Sequence, residues 1–230
     1  LHAHNMHYFS KVHANMLVGV SKRKGIPIFL TAHNVWDDIL FLDLTRNIEW
    51  SHIIAVSHFI RQELIGVGCS HKDVTTIHHG IDEDIYNPDI NPVPILNKYP
   101  QLKKKRVVFH PARMGLAKGC DVSIKAIKIV KEKFPDVMLV LAGTKNIIDW
   151  IDTQQRDIAY MVNLVEYFEL RDNVLIDTYR LQEIPLLYAA SQIAIYPSSS
   201  CEPFGLTMLE ALASARPMIV SRTGGMPEII

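Results

Sequence analysis

Three observations predict an α/β fold with parallel sheets. Short apolar runs of strand length alternate with amphipathic segments of helix length from one end of the chain to the other. Clusters of proline, glycine and serine punctuate them. Between Tyr196 and Glu228 the order strand, loop, helix, strand (QIAIY, then PSSSCEPF, then a helix with Leu206, Leu209, Ala211, Leu212 and Ala213 on its apolar side, then PMIV) is half of a doubly wound sheet. Ligands of such sheets bind beyond the carboxyl ends of the strands, where this loop lies.

Taken in order, residues 12–23 read as a helix closed by Gly25, followed by the strand PIFLTAH running into His33. A helix over about Asp38–Asn47 precedes the strand HIIAVS, and Ser57 caps a further helix, HFIRQELI. VTTIH, at 74–78, is another strand. Residues 89–105, with several prolines and a lysine run, read as a solvated interdomain linker between a first domain, 1–88, and a second, 106–230. The second half begins with VVFH, then a loop, then a helix over about Cys120–Phe134. The buried strand VMLVLAG, a long helix over about Ile148–Leu170 and the strand NVLID lead back to the stretch at 196–228. In that stretch Pro203 suits a first helical position just after Glu202, so the N–H groups of Gly205, Leu206 and Thr207 crown a positive helix end, a seat for phosphate.

Composition narrows the function classes. With 230 residues and an apolar share of 48 %, the chain can bury a full core. Lysine plus arginine equals aspartate plus glutamate at 24 each, so no global field favours nucleic acid. Three scattered cysteines, Cys69, Cys120 and Cys201, fit free thiols in a reducing, cytoplasmic setting. No apolar run reaches the length of a membrane span, although the basic run at 103–106 could touch an anionic surface peripherally. The sequence opens LHAHN and stops inside Ile229–Ile230, so a fragment is expected.

Two patterns invite metal. His2, His4 and His7 form H-x-H-x-x-H, which suggests a zinc hydrolase, but Met6 stands where metallo-β-lactamase-like hydrolases carry Asp, and no later ligand cluster completes the set. Asp82 and Asp84 form a D-x-D on a turn, a pair frequent by chance. The expectation is no metal.

Glu202 and Glu210, seven residues between them, sit inside E-P-F-G-L-x-x-L-E-A, with G-G-x-P-E following. Arg113, Lys118 and Gly119 form R-x-x-x-x-K-G after a strand, with Ala112 where a glycine is usual. Together with V-S-x-x-x-x-x-E-L and I-x-x-G-I-D-x-x-x-Y-x-P, these resemble the retaining family 4 glycosyltransferases of the GT-B fold, end to end and most strongly from Val107 onward. The chain departs from that pattern at His78–His79, where Pro-Asn is frequent, at Asp177, where Gly is expected, and at Gln192, often Asp.

The resemblance implies two Rossmann-like domains, both incomplete here, and transfer of a sugar from a nucleotide-diphosphate sugar to an acceptor hydroxyl, with retention and without metal or cofactor. It implies that Arg113 and Lys118 hold the diphosphate, with Gly119, Phe204, Gly205, Leu206, Thr207 and Arg180 around the donor. Glu202 would hold sugar hydroxyls, Glu210 the ribose diol, and His33 would face the reacting centre. The core-histidine reading of His33 stays open, as does the reading of Gly224–Gly225 as a plain tight turn. A GT-B epimerase and a non-catalytic nucleotide-sugar binder are the rival readings. Residues 1–230 alone are expected to bind nucleoside diphosphate weakly through the second half and not to transfer sugar.

Overall fold

The computed structural model describes residues 1–5, 10–35, 39–143 and 151–230. They form two compact units, one of residues 1–79, 202–205 and 224–230, the other of residues 80–201 and 206–223.

The first unit holds a sheet with the order β1 (His2–His4), β2 (Phe29–Ala32), β3 (His52–Ala55) and β4 (Val74–Thr76), all parallel. Parallel neighbours need crossovers, and helices supply them: α1 (Lys11–Lys24), α2 (Ile39–Asn47) and α3 (His58–Gly66). Local signals set their ends. Ser10 caps α1, and Gly25, at φ 61°, closes it. Ser57 caps α3 by accepting from the Ile60 N–H at 3.0 Å. Leu30, Ala32, Ala55, Phe41, Ile60 and Leu64 are among the side chains buried in this unit. The start expected for α2 at Asp38, and residues 148–150 of the long second-half helix, lie outside the described residues.

The second unit is built on a parallel sheet ordered β7 (Val174–Thr178), β6 (Val137–Gly143), β5 (Arg106–His110), β8 (Ile193–Tyr196) and β9 (Met218–Val220). The chain starts this sheet in the middle, at β5, winds outward to β7, then returns to the other side at β8. The crevice between the carboxyl ends of β5 and β8 is therefore the topological switch point, where doubly wound sheets bind ligands. Pleating divides the core in two. Val107, Phe109, Met138, Val140 and Ala142 face one layer, shared with Leu187 and Tyr188 of α7 (Ile184–Ala190). Val137, Leu139 and Leu141 face the other, against Ile124 and Ile127 of α5 (Cys120–Lys133) and Met161 and Val165 of α6 (Ile151–Tyr167).

Two expectations are corrected here. Residues 89–105 are not a solvated linker. Pro92 and Pro94 open a short helix, α4 (Val93–Lys98), at positions where a missing N–H costs nothing, and a 3-10 turn follows at Pro100–Leu102. Ile95, Tyr99 and Leu102 are then buried in the core beside Val107 and Phe109. Apolar residues between the prolines outweigh the lysines, which stay at the surface.

The helix after β8, α8, runs Leu206–Ala213 and does not start at Pro203. Gly205 adopts φ 101°, which is not helical, and residues 202–205 pack with the first unit. The carbonyl of Glu202 accepts the Gly225 N–H at 2.8 Å, and the carbonyl of Pro203 accepts the Ser57 hydroxyl at 2.6 Å.

Candidate functional site

At the switch point of the second unit, two loops leave adjacent strand ends and are tied together. The loop after β5 carries Arg113, exposed, and Lys118, half-buried in a 3-10 turn over Leu116–Lys118. The loop after β8 grips that turn chiefly through the Ala117 carbonyl oxygen. It accepts from Ser198 Oγ at 3.1 Å, the Ser199 N–H at 3.1 Å and Ser200 Oγ at 3.2 Å. Ser199 Oγ donates to the Leu116 carbonyl at 3.1 Å, and Asp157 Oδ2 accepts the Leu116 N–H at 3.0 Å. Lys118 Nζ lies 5.7 Å from the centre of the Tyr196 ring. Gly119, buried at φ 74°, begins α5, and a Cβ there would stand 1.8 Å from the Pro197 carbonyl oxygen.

Below this loop lies a buried polar chain that sequence reasoning missed. His110, the last residue of β5, places Nδ1 2.9 Å from Ser123 Oγ and Nε2 3.4 Å from Cys120 Sγ. With the Ser123 hydroxyl donating to the Gly119 carbonyl at 3.2 Å, the matching tautomer of His110 donates from Nδ1 to Ser123 Oγ. Nε2 is then the acceptor, facing the Cys120 thiol, which also lies 3.9 Å from the Arg113 carbonyl. Burial, with the nearby Lys118 charge, pushes the imidazole down to about 3, and burial pushes the Cys120 thiol up to about 11. A neutral histidine thus braces both ends of the Arg113–Gly119 loop. The detectable signal was a histidine at a strand end with Cys and Ser three apart on the next helix.

Glu210, on the second turn of α8, is half-buried, and Tyr188 Oη lies 3.0 Å from its Oε2 and 3.0 Å from the Thr207 carbonyl. Tyr86 also hydrogen-bonds this carboxylate. Burial raises the Glu210 carboxyl above its ordinary value, and the two phenols offset part of that. Burial, then Glu210, push Tyr86 up to about 12. Thr207 Oγ1 is buried and has no hydrogen-bond partner. Arg180 is exposed before a 3-10 turn at Leu181–Glu183, and its N–H donates to Glu183. Asp177 Oδ2 accepts the Tyr99 hydroxyl at 2.8 Å, so the residue in the expected glycine position fastens the segment 89–105.

The first unit gathers a second set of predicted residues. His33 follows β2; its Nε2 is 3.0 Å from His4 Nδ1, and its ring stacks on His79 at 5.1 Å. Its N–H donates to Asn5 Oδ1 at 2.8 Å. Burial, then the neighbouring imidazoles His79, His4 and His2, lower its pKa, so His33 is neutral near neutral pH. His2 Nε2 pairs with Thr31 Oγ1 at 2.7 Å. His7 and Met6 lie outside the described residues. Glu202 and Phe204 belong to this unit, and the buried Phe204 ring packs against His78 and His79 at 5.3 and 5.4 Å. The two histidines that break the expected Pro-Asn are thus the floor under Phe204. Gly224 and Gly225 serve backbone approach: a Cβ would stand 2.1 Å from the Glu202 carbonyl oxygen at one and 2.4 Å from that of Pro203 at the other. Asp82 and Asp84 form a turn closed by the Asp84 N–H on Asp82 Oδ1 at 3.0 Å.

Two parallel-sheet units of this kind define the GT-B class. The Anabaena protein HepE, solved in complex with UDP and glucose, superposes with a TM-score of 0.81 over 96 % of this chain and 60 % of its own, at 20 % identity. Residues 95–230 match the family model "Glycosyl transferases group 1", and residues 1–85 match "Glycosyltransferase Family 4". The chain belongs to the glycosyl transferases group 1 family. Among curated relatives it is 26 % identical to the putative glycosyltransferase YtcC of Bacillus subtilis, over 78 % of this chain and 45 % of that protein. It is 28 % identical to the N-acetyl-alpha-D-glucosaminyl L-malate synthase of Bacillus anthracis, over 89 % and 52 %. The chain spans about half the length of these relatives.

Proposed function

We propose that these residues belong to a retaining, family 4-type hexosyltransferase that moves a sugar from a nucleoside diphosphate donor to an acceptor hydroxyl without a catalytic metal. The observation that carries this is the switch point of the second unit, where the cationic Arg113–Gly119 loop, braced from below, stands beside the loop leading into α8. The difficult event in such a transfer is departure of a charged diphosphate while the sugar becomes cation-like. Fixed positive charge lowers the cost of the first. Arg113 offers a planar fork and Lys118 a point charge to the diphosphate, and the first N–H groups of α8 add their partial charge. The unpartnered Thr207 hydroxyl is a ready donor to a phosphate oxygen.

Glu210 is the acceptor for a ribose diol, and Tyr86 and Tyr188 aim it. Glu202 receives sugar hydroxyls, with Phe204, Gly205, Leu206 and Arg180 around the donor, and His33 is a neutral polar group for the reacting end. HepE was solved with UDP and with UDP-glucose, which makes uridine nucleotides the first donors to try. The acceptor is a hydroxyl of unspecified class. The working place is cytoplasmic, with the basic run at 103–106 as a peripheral contact for anionic lipid; no helix among the described residues is long and apolar enough to cross a membrane.

Calorimetric titration with UDP, GDP, ADP and UDP-glucose tests the assignment. Arg113→Ala and Lys118→Ala are each expected to weaken nucleoside diphosphate binding about 10–100-fold, the worth of one charge-assisted contact. Glu210→Gln should weaken nucleoside diphosphate and spare inorganic pyrophosphate. Glu202→Gln should spare nucleoside diphosphate and damage only the sugar nucleotide. Unchanged binding in both cation variants would remove the phosphate role. Product analysis with donor alone separates transfer from epimerisation: a new nucleotide sugar formed without acceptor would overturn the transferase reading.

A further inference from the structure

His58, His78 and Glu228 converge in the first unit, and none of the three is among the residues assigned above to donor binding. One ligand atom from each lies within 4.8 Å of the others, and they are the one such group of three among the described residues. They arrive from three separate places in the sequence: the first turn of α3, the segment after β4, and a 3-10 turn at Met226–Glu228.

Each ligand is already oriented. The Glu228 carboxylate is held by two backbone donors at the head of α3, the His58 N–H to Oε2 at 2.7 Å and the Phe59 N–H to Oε1 at 2.8 Å. His78 Nε2 lies 3.0 Å from the same Oε2, with its ring against Phe204. His58 Nδ1 is 3.2 Å from Thr76 Oγ1; with that nitrogen as donor, the lone pair of His58 sits on Nε2. The two histidine rings meet edge to face at 5.5 Å, and both are exposed, so an ion can enter from solvent.

We propose that His58, His78 and Glu228 form a binding site for a zinc-class divalent ion. Two imidazoles and one carboxylate, with a fourth position open to water, are a donor set for zinc, whereas magnesium wants several oxygens. Binding turns His78 Nε2 from hydrogen-bond donor to metal ligand, with the proton on that nitrogen moving to Nδ1. The lone pair freed on Glu228 Oε2 goes to the ion, and the two backbone N–H bonds stay. The ion fastens the turn at 226–228 to the start of α3 within the first unit. This role is structural and independent of the transfer chemistry proposed above.

The test is zinc titration of the chelator-treated chain by calorimetry, with cobalt(II) absorption reporting coordination and magnesium as a comparison. One equivalent of zinc is expected, with four-coordinate cobalt bands, a raised melting temperature and much weaker magnesium binding. His58→Ala and His78→Ala should each weaken zinc at least ~10-fold and remove the thermal shift. Both keep the backbone donors to Glu228, so the α3 cap survives, and circular dichroism verifies the fold. His2→Ala/His4→Ala should leave zinc binding unchanged. No zinc uptake, uptake that survives the His58 and His78 variants, or uptake lost on changing His2 and His4 would each overturn the proposal.

Discussion

Gly119→Ala is expected to destabilise the second unit by about 2–6 kcal/mol and to abolish nucleoside diphosphate binding. Two costs combine. A left-handed backbone at φ 74° strains any L side chain by about 1–3 kcal/mol, and a Cβ 1.8 Å from the Pro197 carbonyl oxygen forces the two loops apart for about 1–3 more. Backbone, not a flexible side chain, stands in the way, so no rotamer change relieves it. Moving Pro197 would carry the Ser198–Ser200 segment with it and pull its donors off the Ala117 carbonyl. Gly25→Ala is the control. It shares a positive φ of 61° but has nothing within 4 Å of a Cβ, so its cost should be only about 1–2 kcal/mol. Urea denaturation of both variants decides: equal losses would mean that backbone conformation alone, and not the loop contact, makes Gly119 necessary.

That pair shows which parts of the molecule could be seen in the sequence. Gly119 was visible as part of R-x-x-x-x-K-G, and Gly25 as a helix stop, but nothing in the letters told which of them touches another loop. The strand and helix order was legible because parallel strands buried on both faces need continuous apolar runs, as VMLVLAG is. The segment at 89–105 was not, because proline at the first turns of a helix looks in sequence like proline that prevents one. The start of α8 was misplaced for a related reason. Pro203 suits a helix entry by its φ, yet Gly205 and the contacts of residues 202–205 with Ser57 and Gly225 hold that segment out of the helix. Such tertiary partners lie far away in the chain. Glu210 was found through its motif, whereas Tyr86 and Tyr188, which offset part of the cost of its burial, were not, since either alone reads as core.

The second unit should also lose stability steeply in acid, and His110 should account for much of the slope. In the unfolded chain this imidazole takes a proton at about 6.5; in the fold it resists until about 3. Its folded pKa is depressed, so the stability it contributes is fully present above about 6.5 and is lost as pH falls toward about 3, where the unfolded state alone has bound the proton. At about 1.4 kcal/mol per pH unit the loss reaches roughly 5 kcal/mol across that window, a large share of a domain's ~5–15 kcal/mol. The geometry gives the reason. A second proton would go to Nε2, which faces the Cys120 thiol in a dry site with Lys118 nearby. Acid should therefore loosen the Arg113–Gly119 loop first, because the Cys120 and Ser123 contacts on its ends depend on the neutral ring. His110→Gln is expected to be less stable than the wild type near neutral pH, having lost the fitted ring, but its stability should fall with acid about 1.4 kcal/mol per pH unit less steeply between about 6 and 4. Urea unfolding at several pH values on both proteins measures the difference, and carboxylates common to the two cancel. Parallel stability profiles would show that His110 is not the group that titrates, and that the loop is held by its serine contacts alone.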